Sequence, residues 1–205
     1  MPKNDKKTSL SDLLSVFLFI IVLKMQDKEI ENIILLCKQG NQDAKRVLFE
    51  MFSPKMLALC NRYLNNMQDA QDAMIDGFIA VYDNIDGFVH RNLQGWINRI
   101  MINTCLEMMR KQKKILLQED NSFADADNEI EIDNPERFSK NDVLNALQTL
   151  TPNEKTIFNM AVVDEMSHDE ISQILNLKKT TIKTTIYKAK IKLRNYLLQL
   201  EKDRI

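Results

Sequence analysis

The chain has 205 residues and a formal net charge of −1, and its hydrophobic content of 44% is ample for packed cores. Four glycines and four prolines leave few tight turns for a sheet protein, so the composition favours helix. We predict an all-α fold. Three widely spaced cysteines and two histidines match no disulfide framework, metal site or catalytic triad, so we expect no cofactor, no metal, no catalysis and a reducing, cytoplasmic setting.

The N-terminus carries an apolar run, residues 13–23, which follows three lysines. No small-residue cleavage site comes after it, because Lys24 and Met25 are next, and eleven residues are too few to span a bilayer comfortably. We expect residues 1–24 to lie outside the functional fold, with Met25 as an alternative start. A membrane-associating or partner helix is the alternative.

From residue 25 to residue 114 the apolar residues recur at helical spacing, which predicts a first domain of five helices. Gly40 stands where the first helix should end, and Ser53 with Pro54 predicts a new helix start. Asn65 and Asn66 should end that helix. The third of these helices should run from Pro54 through Tyr63 and Leu64. The apolar stripes of the other four are Ile30, Ile33, Ile34 and Cys37; Ala44, Val47, Leu48 and Met51; Met74, Phe78, Val81, Tyr82 and Ile85; and Trp96, Ile97, Ile100, Met101, Thr104 and Met108.

Residues 115–138 lose this periodicity. Between Glu119 and Glu136 there are eight acids and no Lys or Arg, which is typical of a flexible, solvated linker. A second small helical domain is predicted over residues 139–200. It opens with a helix bearing Val143, Leu144, Leu147 and Leu150, and a capping box then follows at Thr151 and Glu154, with Pro152 at the first helical position.

A second capping box, Ser167 with Glu170, begins a short helix, and Asn176 occupies the turn before a long helix from about Lys179. This pattern predicts a helix-turn-helix whose second helix enters the major groove. Seven basic residues and no acid lie between residues 171 and 200, which favours a polyanion partner over a merely solvated face. With Ile182, Ile186, Ala189 and Leu193 facing inward, the residues predicted to reach DNA are Lys178, Lys179, Thr180, Thr181, Lys183, Thr184, Thr185, Tyr187 and Lys188.

The segment LQTLTPNEKTIFNMAVVDEMSHDEISQILNLKKTTIKTTIYKAKIKLRNYLL, residues 147–198, resembles region 4 of the extracytoplasmic-function sigma factors. Residues 60–88 and 96–114 resemble region 2 of the same family. The region 2 segments precede the region 4 segment, in the order and spacing found in the family. The resemblance implies a subunit that gives bacterial RNA polymerase its promoter specificity. It also implies an anti-sigma partner and no small-molecule substrate.

By the same resemblance, the chain should bind core RNA polymerase at the β′ clamp helices and the β flap, and should bind and open promoter DNA. The implied clamp-binding residues are Asp69, Asp72, Asp76 and Phe78, an acidic stripe that suits a basic partner. Aromatic and basic residues hold single-stranded DNA. Those implied in promoter opening are Phe88, Arg91, Arg99, Asn103, Arg110 and Lys111. The loop from His90 to Gly95 is shorter than common family versions, and Lys178 replaces the usual Ser or Thr cap.

Two other functions fit parts of the sequence. A stand-alone helix-turn-helix regulator would use the first domain as a sensor or dimeriser. A metal-dependent phosphoesterase would use Asp69, Asp72 and Asp76, although no histidine supports them. Stoichiometric binding to core polymerase would discriminate the sigma factor from the regulator, and metal-dependent turnover would indicate the enzyme.

Overall fold

In a computed structural model of the chain, residues 28–89, 92–112 and 137–204 are described. These three ranges form helices joined by turns, without a strand, so the all-α prediction is confirmed. The N-terminal apolar run and nearly all of the predicted linker lie outside the described residues. Within them, no helix is both long and apolar enough to cross a membrane.

The helices of the described residues group into two compact units. The first unit contains α1, α2 to Asn61, α3, a 3₁₀ turn and α4 to Met101, and the second contains residues 62–66, α4 from Ile102, a π turn and α5 to α8. In chain order these elements are α1 (residues 28–38), α2 (Gln42–Leu64), α3 (Met67–Asn84), the 3₁₀ turn (Ile85–Gly87), α4 (Leu93–Lys111), α5 (Lys140–Gln148), α6 (Pro152–Phe158), the π turn (Asn159–Val163), α7 (His168–Leu175) and α8 (Lys179–Lys202).

The junction between α1 and α2 follows the prediction. Gly40 adopts φ +80°, a left-handed conformation that glycine reaches without strain, and its N–H donates to the Cys37 carbonyl at 2.9 Å. The Asn41 side chain then accepts a hydrogen bond from the Ala44 N–H at 2.9 Å and caps the start of α2. The left-handed Gly40 ends α1 and the Asn41 cap begins α2, so these two neighbouring residues define the turn between the helices.

The predicted helix break at Ser53 and Pro54 is wrong, because α2 runs unbroken from Gln42 to Leu64. Proline cannot donate the hydrogen bond to the carbonyl four residues earlier, and this usually kinks or ends a helix. Here the apolar stripe continues through the proline, since Leu48, Phe52 and Met56 are all buried at a spacing of four residues. Core burial on both sides of Pro54 therefore outweighs the missing bond.

The inward face of α2 was also predicted one position away from its true place. Val47 and Met51 were assigned to the core, but both are exposed, and Phe52 is buried instead. Leu48 belongs to either stripe, so the pattern alone left the choice between them undetermined. Aromatic burial decided it, because Phe52 removes more apolar surface from water than Met51 would.

Helices α3 and α4 approach each other closely at Gly77. A Cβ atom added there would lie 2.3 Å from the Met101 Sδ, well inside van der Waals contact. Ala73 and Ala70, one and two turns earlier on α3, are fully buried. The small residues along this side of α3 thus admit the large side chains of its neighbours.

Three capping boxes define helix starts in the second unit. The boxes at Thr151 and at Ser167 were predicted, and both are present with reciprocal hydrogen bonds. A third box, which the sequence analysis overlooked, joins Ser139 to Asp142 at the start of α5. Aspartate in place of the usual Glu or Gln at its third helical position hid the signal.

Two of the capping carboxylates also bind cations of α8 and of the residues just after it. The Lys192 Nζ lies 2.7 Å from Glu154 Oε1, and the Arg204 Nη2 lies 2.7 Å from Asp142 Oδ1. Hydrogen bonds from Arg204 and Ser139 lower the pKa of Asp142. Burial raises the pKa of Glu154, but hydrogen bonds from Lys192 and Thr151 outweigh it and leave that pKa lowered. Ionised carboxylates at the starts of α5 and α6 thus bind cations at the C-terminal end of the unit.

The second unit differs from the prediction at two further places. Val143 and Leu144 were assigned to the core but are 44% and 47% exposed, while α5 buries Asp142 and Ala146. The π turn after α6 was not predicted. It buries Asn159 and Met160 and ends before Asp164, whose Oδ2 accepts a hydrogen bond from the Tyr63 hydroxyl at 2.7 Å within the same unit.

Candidate nucleic-acid interface

The helix-turn-helix forms as the sequence predicts. Helix α7 has eight residues and begins at the Ser167 capping box. Asn176 then adopts φ 54° and ψ 45°, the left-handed conformation that asparagine tolerates, and the Ser172 hydroxyl donates to the Leu177 carbonyl at 2.7 Å. Leu177 is buried, which fixes the turn against the core. Helix α8 follows at Lys179, and no side-chain hydrogen bond from Lys178 caps it.

The basic residues at the start of α8 point outward. Lys178, Lys179, Thr180 and Lys183 are exposed, and Thr185, Tyr187 and Lys188 are half-buried. Lys179 also forms an exposed ion pair with Asp169 of α7. Exposed pairs of this kind contribute about 0–1 kcal/mol, so an incoming phosphate can compete with Asp169 for the ammonium.

Two of the residues predicted to reach DNA do not face outward. Thr181 and Thr184 are each 8% exposed and belong to the inner side of α8. Helices α5, α6 and α7 all contact α8, so its buried arc is wider than the single apolar stripe of Ile182, Ile186 and Ala189. Their side chains are therefore unavailable to a ligand on the outer face.

The outer face of α8 extends further than predicted. At about 3.6 residues per turn, Lys183, Tyr187, Lys190 and Arg194 lie within roughly 60° of one another. Lys190 and Arg194 are exposed. Their spacing of seven and eleven residues from Lys183 was the available signal for them. Lys192, in contrast, pairs with Glu154 and serves the interior contact.

A second cationic face lies on α4. Arg99, Asn103, Arg110 and Lys111 are all exposed, and the first three fall within roughly 40° of one another around the helix. Arg91, predicted to belong to the same surface, lies outside the described residues. The arrangement offers two guanidinium groups and an amide along one side of a helix, which suits a phosphate backbone and a base edge.

Phe88 occupies a different environment from the one expected of a base-stacking residue. Its ring is 7% exposed and packs against Trp96, with the ring centroids 5.0 Å apart. The adjacent Val89 is the most exposed large apolar residue of the described part of the chain. A base cannot stack on Phe88 in this conformation, so its ring anchors the loop from the inside.

Helix α3 presents an acidic and apolar stripe. Asp72 and Asp76 are exposed and Asp69 is half-buried, but Phe78 is 2% exposed and stacks on Phe49 with the centroids 4.8 Å apart. The structure therefore removes Phe78 from the predicted binding surface. Ile75 and Ile79 replace it, with 51% and 53% of their surface exposed beside the two aspartates. Their spacing of three residues from Asp72 and from Asp76 was visible in the sequence.

Comparison with known families identifies the family of the chain that bears these surfaces. The family model for Sigma-70 region 2 matches residues 48–115, and the model for Sigma-70 region 4 matches residues 140–193. Together they cover α2 to α4 and α5 to α8 up to residue 193, in the order expected from the sequence. The chain belongs to the sigma-70 family.

Two relatives of this sigma factor are themselves ECF sigma factors. It is 29% identical over 181 residues to the ECF RNA polymerase sigma factor SigW of Bacillus subtilis. The aligned region covers 80% of this chain and 94% of SigW. The chain is 26% identical over 158 residues to the ECF sigma factor SigE of Mycolicibacterium smegmatis, covering 73% of this chain and 60% of SigE. This sigma factor is therefore a member of the extracytoplasmic-function group.

A solved structure shares its fold. The sigma factor RpoE from Bartonella quintana, determined in complex with the anti-sigma factor NepR, superposes with a TM-score of 0.51 at 19% sequence identity. The match covers 74% of this sigma factor and 95% of that chain. Sigma factors are regulatory subunits. Within residues 28–89, 92–112 and 137–204, no group of three or more His, Cys, Asp or Glu side chains is placed to hold a metal ion.

Proposed function

We propose that this sigma factor binds core RNA polymerase through α3, reads an upstream promoter element with α8, and opens a downstream element with α4 and the loop before it. The observation that carries the proposal is the pairing of two exposed cationic helix faces, on α8 and α4, with one exposed acidic and apolar stripe on α3. Each face lies in a segment that a sigma-70 region matches.

The α3 stripe has the chemistry of a docking surface for a basic, amphipathic helix. Asp72, Ile75, Asp76 and Ile79 lie within roughly 100° around α3, so charge and apolar area face the same direction. Apolar burial would supply affinity, and the aspartates would orient the partner. We assign this stripe to the β′ clamp helices, with Asp69 at its edge.

We assign the β flap to the second unit. Val143 and Leu144 are neighbours on α5, and each leaves nearly half of its apolar surface exposed. Exposed neighbouring apolar side chains on a short helix favour a protein partner over DNA. This leaves the outer face of α8 available to the upstream promoter element at the same time.

The outer face of α8 is suited to duplex DNA. Lys178, Lys179, Lys183, Lys190 and Arg194 would neutralise phosphates, and Thr180, Thr185, Tyr187 and Lys188 lie where side chains could reach base edges. On α4, Arg99, Arg110 and Lys111 would hold the separated strand and Asn103 would contact an unpaired base. Phe88 would hold the loop in shape, and Arg91 stays part of the predicted opening surface.

We place this activity in the cytoplasm, where polymerase and promoter DNA reside, and we expect no enzymatic turnover by the chain itself. An anti-sigma factor is its proposed restraint, by analogy with the Bartonella quintana complex. A stand-alone regulator is not favoured, because the first unit falls in Sigma-70 region 2 and a sensor domain is not needed to explain it.

The test is transcription in vitro with purified core polymerase on a library of genomic fragments, followed by mapping of the RNA starts. We expect discrete starts that require the added sigma factor. Asp76→Lys should weaken binding to core polymerase roughly tenfold, because it places like charges together. Glu50→Gln, at an exposed acid of α2, is the matched control. DNA binding without any polymerase-dependent transcription would support the stand-alone regulator instead.

A further inference from the structure

A lysine at the end of α1 binds the backbone just before α4. The Lys38 Nζ donates to the Phe88 carbonyl at 2.9 Å and to the Asp86 carbonyl at 3.1 Å. Lys38 is the last residue of α1, about fifty positions earlier in the chain, and all three residues belong to the first unit. An ammonium group that binds two carbonyls two residues apart fixes the backbone between them, because both peptide planes must point at one atom.

The far side of the loop is held as firmly. The Phe88 ring packs on Trp96, and the Asn92 side chain accepts a hydrogen bond from the Gly95 N–H at 2.8 Å at the start of α4. Phe88 and Asn92, the described residues on either side of this segment, are therefore each held by contacts within the first unit. Val89, directly after the Lys38 contact, is 82% exposed. Its side chain is thus the part of this segment that is free of the core, and its position follows the backbone that Lys38 holds.

We propose that Lys38 is a positioning residue for promoter opening: it holds the Asp86 and Phe88 carbonyls so that Val89 faces the unpaired base and the Phe88 ring stays on Trp96. The role of the loop in promoter opening rests on the proposed function. The claim that Lys38 holds the loop backbone does not, because it follows from the two hydrogen bonds alone. Lys38 makes no contact with DNA in this assignment. It acts on base preference through the backbone of the loop.

Trp96 supplies a direct readout, because it is the one tryptophan of the 205-residue chain and it contacts the Phe88 ring. Lys38→Met should shift the Trp96 emission and increase its quenching by acrylamide, in the free sigma factor without DNA or polymerase. Lys38→Arg, which retains donors and charge, should restore most of the wild-type signal. Lys28→Met is the matched control, since Lys28 is an exposed lysine at the other end of α1.

The functional arm uses four promoters that differ only in the base expected to be unpaired. For wild type we expect one preferred base. Lys38→Met should reduce the ratio between the best and worst promoter about tenfold, equivalent to about 1.4 kcal/mol, while binding to core polymerase is unchanged. A general loss of stability would lower all four activities together and leave that ratio intact.

The outcomes separate the two proposals. Unchanged Trp96 fluorescence in Lys38→Met would show that the lysine does not hold the loop, whatever the function of the protein. Altered fluorescence with an unchanged base ratio would overturn the role in promoter opening. Absence of polymerase-dependent transcription by the wild type would overturn the proposed function, and this inference with it. If Lys38→Met fails to fold, Lys38→Gln, which removes the charge and shortens the side chain, is compared with Lys28→Met in both assays: shifted fluorescence and a reduced base ratio are expected, and unchanged values would overturn the proposal.

Discussion

At the scale of single residues, Gly77 offers the sharpest test of the packing. Alanine would gain about 1 kcal/mol of helix propensity over glycine, but its Cβ would overlap the Met101 sulfur. Met101 is fully buried, so its flexible thioether end must repack within the core to admit the new methyl group. Overpacking costs about 1–3 kcal/mol, so after the propensity gain we expect Gly77→Ala to lower the free energy of unfolding by up to about 2 kcal/mol in urea titrations.

Gly87→Ala is the control for that measurement, because nothing lies within 4 Å of a Cβ at position 87. Combining Gly77→Ala with Met101→Ala should give less destabilisation than the sum of the two single changes, since the second relieves the overlap. Strict additivity would indicate that the two residues do not touch.

Residue types were easier to predict than the directions of the side chains. The sequence located Asp72, Asp76 and Lys183 on exposed faces correctly, because charged groups are costly to bury. It misassigned Phe78, Thr181 and Thr184, each of which has a plausible role on either side of a helix. Their burial depends on how many neighbours a helix has, and periodicity within one helix does not contain that information.

At the scale of helices, the capping boxes couple stability to pH. Asp142 and Glu154 have folded-state pKa values below their usual 3.8 and 4.5, so each binds protons more weakly in the folded protein. Their contribution is fully present above those usual values and is lost as pH falls through the lowered ones. Thermal unfolding followed by circular dichroism should therefore show declining stability below about pH 4.5.

Glu154→Gln removes one of these carboxyls and its pairing with Lys192, and it should be less stable than wild type at pH 7 and less sensitive to acid. Glu50→Gln removes an exposed carboxyl outside any capping box and should retain the wild-type acid profile. Equal acid sensitivity in wild type and Glu154→Gln would mean that the Glu154 pairing does not contribute.

The assignment of α8 to DNA also makes a prediction at this scale. Lys183→Ala should reduce the slope of log affinity against log salt by about 0.9 for an upstream-element duplex, because one phosphate contact is lost. Lys202→Ala changes an exposed lysine in the last turn of the same helix and should leave the slope unaltered. A similar effect from both variants would indicate a diffuse charge effect and not a docked face.

Helix starts were predicted better than helix continuity. Thr151 and Ser167 were identified because a capping box is complete within four residues. Pro54 was misjudged, since whether a proline ends a helix depends on the burial on either side of it, which is a property of the tertiary structure. The π turn after α6 has no local signature of this kind and was missed for the same reason.

At the scale of the whole molecule, charge is separated along the chain. Eight acids lie between residues 119 and 136, whereas residues 171–200 contain seven bases and no acid. Segment 115–138 has 24 residues and could extend to roughly 80 Å, comparable with two turns of duplex at about 35 Å each. We expect its acidity to oppose DNA binding by the sigma factor alone.

Replacing the eight acids by their amides should therefore raise the affinity of the free sigma factor for duplex DNA severalfold at low salt. The gain should diminish at high salt, because charges separated by more than about 10 Å are screened at 0.1 M. Transcription by the complete holoenzyme from a strong promoter is the control. An equal affinity of wild type and variant at low salt would contradict the hypothesis.

The three capping boxes of the second unit also bear on how it folds. Each one specifies a helix start from residues that are three positions apart, so α5, α6 and α7 gain native hydrogen bonds before any long loop has closed. Helix α8 has no such local signal at Lys178 and depends on contacts with the other three. We therefore expect its N-terminal turn, the part proposed to enter the groove, to form later than the starts of α5, α6 and α7.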